Sequence, residues 1–117
     1  METHHDLCFG CGQANLFGLQ VELVRRDEGT VAGRFFLKQD HQGPDGSAHP
    51  GVLGAALQEA LAHARGEIPA RVALEVLAPA PVGVFVELEA TPAQAVARLP
   101  EGGDVVARGR ALSGEVG

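Results

Sequence analysis

Only one stretch of this chain reads as a helix, and everything after it reads as strands. Residues 50–65, PGVLGAALQEALAHAR, put Leu53, Leu57 and Leu61 at i, i+4 and i+8, with Ala60 and Ala64 widening the stripe. Pro50 suits a first helical position, where its fixed φ and missing N–H are both tolerated. Gly66 is placed to stop the helix, which would be about 24 Å long. A single apolar helix in a chain of 117 residues must find its cover in strands.

Those strands are legible as alternation. Leu19, Val21 and Leu23 point one way, with Gln20 and Glu22 the other, which predicts a first half-buried strand. Asp27-Glu28-Gly29 is a turn, and Val31, Gly33, Phe35 and Leu37 form the second arm of a hairpin. A polar loop over 39–48 holds Pro44, Asp45 and Gly46 and leads into the helix. Beyond it come Val72, Leu74 and Val76, then a Pro79–Gly83 break, then Val84, Val86 and Leu88. A shorter strand lies near 93–99 and a last one runs from Val105 to Leu112, after the turn at Glu101–Asp104. Short connections between consecutive strands make the sheet antiparallel. One helix cannot cover both faces of a flat sheet, but a curved, twisted sheet can wrap it. The pattern is therefore α+β: five to six antiparallel strands around one long central helix. Residues 1–18 read as an irregular N-terminal arm and 19–117 as the domain itself.

Composition narrows the partners. With no Trp, no Tyr and 5 Phe, the core must be built from Val, Leu and Ala. A formal net charge of −6 with scattered Lys and Arg argues against nucleic acid, whose binding is driven by clustered cations. The opening METHHDLCFG lacks the basic and apolar regions of a signal peptide. No apolar run approaches the roughly 20 residues that cross a bilayer. Two cysteines without an export signal point to a reducing cytoplasm, where free thiols or a metal are favoured over a disulfide.

Three motifs carry a resemblance. Cys8-Phe9-Gly10-Cys11-Gly12, followed by Asn15, Gly18 and Leu19, is similar to the Cys-Phe-x-Cys-Gly opening of one subgroup of the hotdog-fold thioesterase superfamily, with Leu16 where that subgroup has Pro. His49-Pro50-Gly51-Val52 resembles the superfamily's His-Gly-Gly-Val at the helix start, and Pro81-Val82-Gly83 its turn between the following strands. The resemblance covers roughly residues 8–112. It implies a hotdog fold, an acyl-CoA thioester as substrate or ligand, no required cofactor, and a homodimer or dimer of dimers (a homotetramer) with its site between protomers.

The resemblance also locates two departures. Members that hydrolyse acyl-CoA carry Asp or Glu nine residues beyond the histidine, and here that position is Gln58, which does not ionise. They polarise the thioester carbonyl with the backbone N–H after the histidine, and here that residue is Pro50. Losing one oxyanion donor costs roughly 10²–10³ in rate. Helix arithmetic adds that His49 and Gln58 lie about 13.5 Å apart along the axis and half a turn out of phase. A site using both must combine two chains.

The candidate catalytic residues are thus Glu59, His49 and Gln58, with Gln42, Gly51 and His63 as substrate-binding candidates. Glu59 is the nearest carboxylate to the position of Gln58 and sits i, i+4 from His63. It is either half of a solvated or interface Glu–His pair, or a displaced catalytic acid that His63 orients. His49 is either a helix N-cap or a ligand-lining residue. Gln42 faces the same choice, and the Gly51 amide could help position a carbonyl. Cys8 and Cys11 have the spacing of half a zinc knuckle, with His4, His5 or His41 available to complete four ligands. The other readings are a pair of reduced cysteines that fix the arm and a redox-active pair. Arg71, Arg98, Arg108 and Arg110 could meet coenzyme A phosphates or simply form the wet face of a sheet. Three functions remain open: an acyl-CoA hydrolase with a modified site, a non-catalytic acyl-CoA or small-ligand binder, and a metal-stabilised structural protein using the CxxC arm.

Overall fold

The computed structural model describes residues 1–112; the expected domain's final residues, 113–117, lie outside it. Among the described residues the single α-helix, α1, spans Pro50–Arg65, as the pattern predicts. Pro50 occupies the first turn, and the His49 ring caps the end by accepting the Gly51 N–H at 2.9 Å. Gly66 closes the other end with φ 81° and donates its N–H to the Ala62 carbonyl at 2.9 Å.

Six strands follow the expected order: β1 Glu22–Asp27, β2 Thr30–Phe36, β3 Val72–Val76, β4 Phe85–Ala90, β5 Gln94–Arg98 and β6 Val105–Ala111. They form one antiparallel sheet in the order β1-β2-β4-β5-β6-β3. The sheet curves around α1, which packs against β2 to β6. Leu53, Leu57 and Leu61 are fully buried against Phe35, Val86, Leu88 and Val106, each contributing about 2 kcal/mol by burial. Ala90, Ala95, Ala97 and Ala107 line the facing strands, and their small side chains let helix and sheet approach closely.

One boundary differs from the pattern. The alternation that begins at Leu19 does not mark the start of β1, which begins three residues later. Leu19 and Val21 are buried as expected, but their N–H groups donate to the Phe9 and Gly10 carbonyls at 2.8 Å each. Gln20 between them has φ 52°, outside strand geometry. The chain there pairs with the N-terminal arm instead of with β2. The arm itself has no helix or strand of its own, only turns and an isolated bridge from Glu2 to Leu23. It nevertheless lies across the β1 side of the helix.

The opposite edge of the sheet is open. Among the described residues β3 pairs only with β6, and Leu74, Val76 and Leu77 are exposed along it. No helix among the described residues is long and apolar enough to cross a membrane.

Candidate functional site

The arm brings chemistry to the middle of α1. The Cys8–Gly12 segment closes as a turn, with the Gly12 N–H donating to the Cys8 carbonyl at 2.9 Å. Gly10 lies directly on Glu59, where a Cβ would overlap the carboxylate, and a Cβ on Gly12 would overlap the Asp6 carbonyl. The glycines of the Cys-Phe-Gly-Cys-Gly motif are thus there for close approach. Asn15 finishes the turn, donating to the Leu7 carbonyl and accepting the Phe17 N–H, both at 3.1 Å. Lys38 pins its far end by donating to the Leu16 and Gly18 carbonyls at 3.0 Å.

Beneath the turn lies a convergent polar cluster. Glu59 Oε2 is 2.9 Å from His63 Nε2 and 2.8 Å from His4 Nδ1, and the two imidazoles stack with centroids 4.0 Å apart. Cys8 Sγ reaches Glu59 Oε1 at 3.7 Å, and Cys11 Sγ sits 3.7 Å from His4 Nδ1. The Glu59 and His63 side chains retain 11% and 6% of their exposure. The Glu59–His63 pair exists as the helix spacing predicts, but it is not solvated, because the arm covers it. Burial pushes the Glu59 carboxyl up, yet the hydrogen bonds of His63 and Cys11 and the charges of His4 and His63 outweigh it, so its pKa lies below the usual value. Burial pushes the Cys11 thiol up to about 11; the Glu59 carboxylate and Cys8 add to this, while the His4 N–H and the Thr3 hydroxyl oppose it.

His4 is therefore the histidine that joins the cysteines, and His5 and His41 do not. His5 is exposed and accepts the Leu7 N–H at 3.0 Å. His41 is buried in the loop before α1, with Nδ1 accepting the Lys38 N–H at 3.0 Å and no partner on Nε2 among the described residues. Burial, reinforced by the Lys38 charge, lowers its pKa against the opposing charge of Asp40.

The remaining predicted residues gather elsewhere. His49 and Gln42 are exposed at the helix N-terminus, on a loop that Ala48 and Val82 tie to the Pro81-Val82-Gly83 turn. The Gly51 N–H is taken by the His49 ring, so it reaches a ligand only by leaving the cap. Gln58 lies two turns along on another face, donating to the Pro69 carbonyl at 3.2 Å beside the start of β3. Gly54, one turn earlier on that face, sits against Leu74 of β3. Within one chain the loop end and the mid-helix residues stay apart, as the helix arithmetic requires. Of the arginines, Arg108 pairs with Glu75 at 3.1 Å. Arg98 lines a shallow concavity of about 550 Å³ on the outer sheet face among Arg26, Arg34, Glu87 and Glu89, away from the helix.

The fold has counterparts among solved structures. The Escherichia coli PaaI protein of the phenylacetic acid degradation operon superposes with a TM-score of 0.72 at 18% identity, over 86% of this chain and 83% of that one. This chain has the hotdog fold. A second hotdog structure, the thioesterase superfamily protein RHA08564, gives a TM-score of 0.69 at 22% identity over 84% of this chain, which spans 57% of that protein's length. A third, smu.793 of Streptococcus mutans UA159, was solved bound to acetyl-CoA and matches with a TM-score of 0.65 at 11% identity, over 76% of this chain and 82% of that one. No family model and no curated protein matches the sequence. What these hotdog proteins share with the chain is thus its architecture, and the arm cluster has to be understood from its own residues.

Proposed function

We propose that this hotdog protein binds acyl-CoA thioesters between two protomers and turns them over poorly. The observation that carries the reading is the fate of Glu59. It is the nearest carboxylate to the position of Gln58, and it is held by His4 and His63 beneath the arm, not presented to an open surface. Gln58 cannot replace it as a base, Pro50 has no N–H, and the Gly51 N–H is engaged by His49. A thioester carbonyl therefore meets neither a free carboxylate nor a free amide.

Binding by a pair of chains is supported by the open β3 edge. Unpaired strands with apolar side chains recruit another strand, and a second copy along β3 would cover Leu74 and Val76. His49 and Gln42 of one protomer would then complete a site with Gln58 of the other. The acetyl-CoA complex of smu.793 makes a coenzyme A thioester the natural first probe. We place the protein in the cytoplasm, free of membrane and nucleic acid.

A second reading, hydrolysis with Glu59 as acid/base and His63 orienting it, draws on the 2.9 Å contact between them. Thiol release from acetyl-CoA and longer acyl-CoAs, measured beside thermal shift and light scattering, separates the two. Binding predicts a dimer whose melting temperature rises with acyl-CoA, while wild type and Glu59→Gln release thiol equally slowly. Adding the missing groups as Gln58→Asp with Pro50→Gly should raise turnover by at least tenfold. A fast wild type that Glu59→Gln disables would establish hydrolysis instead.

A further inference from the structure

The arm's polar residues have no role in the proposed thioester site, and their placement has a chemistry of its own. A tetrahedral zinc ion bound by sulfur, nitrogen and oxygen at about 2.0–2.3 Å sets its donors roughly 3.3–3.8 Å from one another. His4 Nδ1 lies 3.9 Å from Cys8 Sγ and 3.7 Å from Cys11 Sγ, and Glu59 Oε1 lies 3.7 Å from Cys8 Sγ. Glu59 Oε2 is closer to His4 Nδ1, at 2.8 Å, as a hydrogen bond in place of a metal would draw it. His4, Cys11, Glu59 and His63 each turn one ligand atom into a space less than 4.8 Å across.

The backbone supports the same arrangement. The His4 N–H donates to Cys11 Sγ at 3.2 Å, a bond that stabilises a thiolate. Cys8 and Cys11 stand at the two-residue spacing of a zinc knuckle, with a glycine between them and another after. A soft pair of thiolates with an imidazole selects zinc over magnesium or calcium. His63, stacked on His4 and bonded to Glu59, supplies the outer hydrogen bond that orients a metal-bound carboxylate.

We propose that the arm and α1 together hold one zinc ion, ligated by His4, Cys8, Cys11 and Glu59, with His63 as the positioning residue for Glu59. The ion staples an arm that has no regular structure onto the domain. Zinc binding and thioester binding are separate properties of separate regions, so either stands without the other.

Metal analysis of the reduced full-length chain, followed by titration of the stripped protein with Co²⁺, tests this. About one zinc per chain is expected, and Co²⁺ should give thiolate charge-transfer bands with a tetrahedral d–d spectrum that zinc abolishes. Cys8→Ser and Glu59→Gln should each weaken Co²⁺ binding more than tenfold, and His63→Gln should weaken it about 10–100-fold while leaving the spectrum tetrahedral. A wild-type chain with two titratable thiols, no zinc and no cobalt bands overturns the proposal whatever the variants do. Undiminished Co²⁺ affinity in folded Cys8→Ser overturns it equally. Acetyl-CoA-induced thermal shift on the zinc-loaded protein reads the thioester site independently.

Discussion

Gln58 leans toward the turn into β3, donating to the Pro69 carbonyl beside a sheet edge that remains open. Glu59, the next residue and about 100° further round the helix, is closed over by residues 4–12 and meets partners from the arm and from the next turn of α1. One face of α1 has its polar group left near an unfilled edge, and the other has its polar group saturated. The difference separates the two kinds of site proposed for this chain. A polar residue beside an open edge is available to a second chain and a ligand. A carboxylate surrounded by imidazoles and thiols is committed to holding its own structure.

Substitution of the arm should break this comparison most forcefully. Gly12→Ala puts a methyl group into the Asp6 carbonyl, a backbone atom with little room to move. We expect about 3 kcal/mol of destabilisation, together with fast reaction of the otherwise buried Cys11 toward a thiol reagent. A variant that keeps wild-type stability and a protected Cys11 would mean that the arm does not seal the Glu59 face.

The two neighbouring side chains should then differ in cost. Glu59→Gln removes the charge that His4 and His63 share, an expected loss of about 2 kcal/mol. Gln58→Ala removes one amide–carbonyl bond on a half-buried surface, an expected loss below about 1 kcal/mol. Urea midpoints of the two variants measure the contrast, and equal losses would erase it.

Acid should act on the loop that leads into α1. The folded-state pKa of His41 is lowered by burial, so as pH falls the unfolded chain takes up the proton first. The stability that depends on neutral His41 is complete above its unfolded pKa of about 6.5 and is lost as pH drops below it. One group can contribute at most about 1.4 kcal/mol per pH unit. The quantity to measure is the difference in urea midpoint between wild type and His41→Gln from pH 7.5 to 5.5. That difference should change in the wild type's disfavour as pH falls, and a constant difference would remove His41 from the account.

Much of this fold could be read in advance because the signals were local. Pro50 and Gly66 mark the ends of α1 within the residues they bound, and alternation marks β2 to β6. The start of β1 was harder, because Leu19 and Val21 bury their side chains like a strand while their amides bond the arm. The site was legible in pieces only. Helix spacing predicts the Glu59–His63 pair, and the cysteine spacing offers half a zinc knuckle beside reduced thiols that fix the arm. Nothing local says that residues 51 positions apart meet, so Glu59 read as half of a solvated or interface pair or as a displaced acid, and His4, His5 and His41 stood equally as companions of the cysteines. The clue available was compositional: a Glu and a His one turn apart on an otherwise apolar helix need a polar partner from elsewhere.

The helix N-terminus allows a finer cut at the open side. His49→Ala removes the cap from α1 and should cost about 1 kcal/mol, a small effect beside the loss of the Glu59 charge. It also releases the Gly51 N–H from the His49 ring. If thioesters dock at this end, the released amide can donate to the carbonyl oxygen, and acetyl-CoA should bind His49→Ala at least as tightly as wild type despite the lower melting temperature. If His49 itself holds the ligand, affinity should fall along with stability. Cobalt binding at the arm should be unchanged in either case, because His49 touches none of those residues. A variant that altered both would show that the two faces of α1 are coupled, and the division drawn between Gln58 and Glu59 would have to be abandoned.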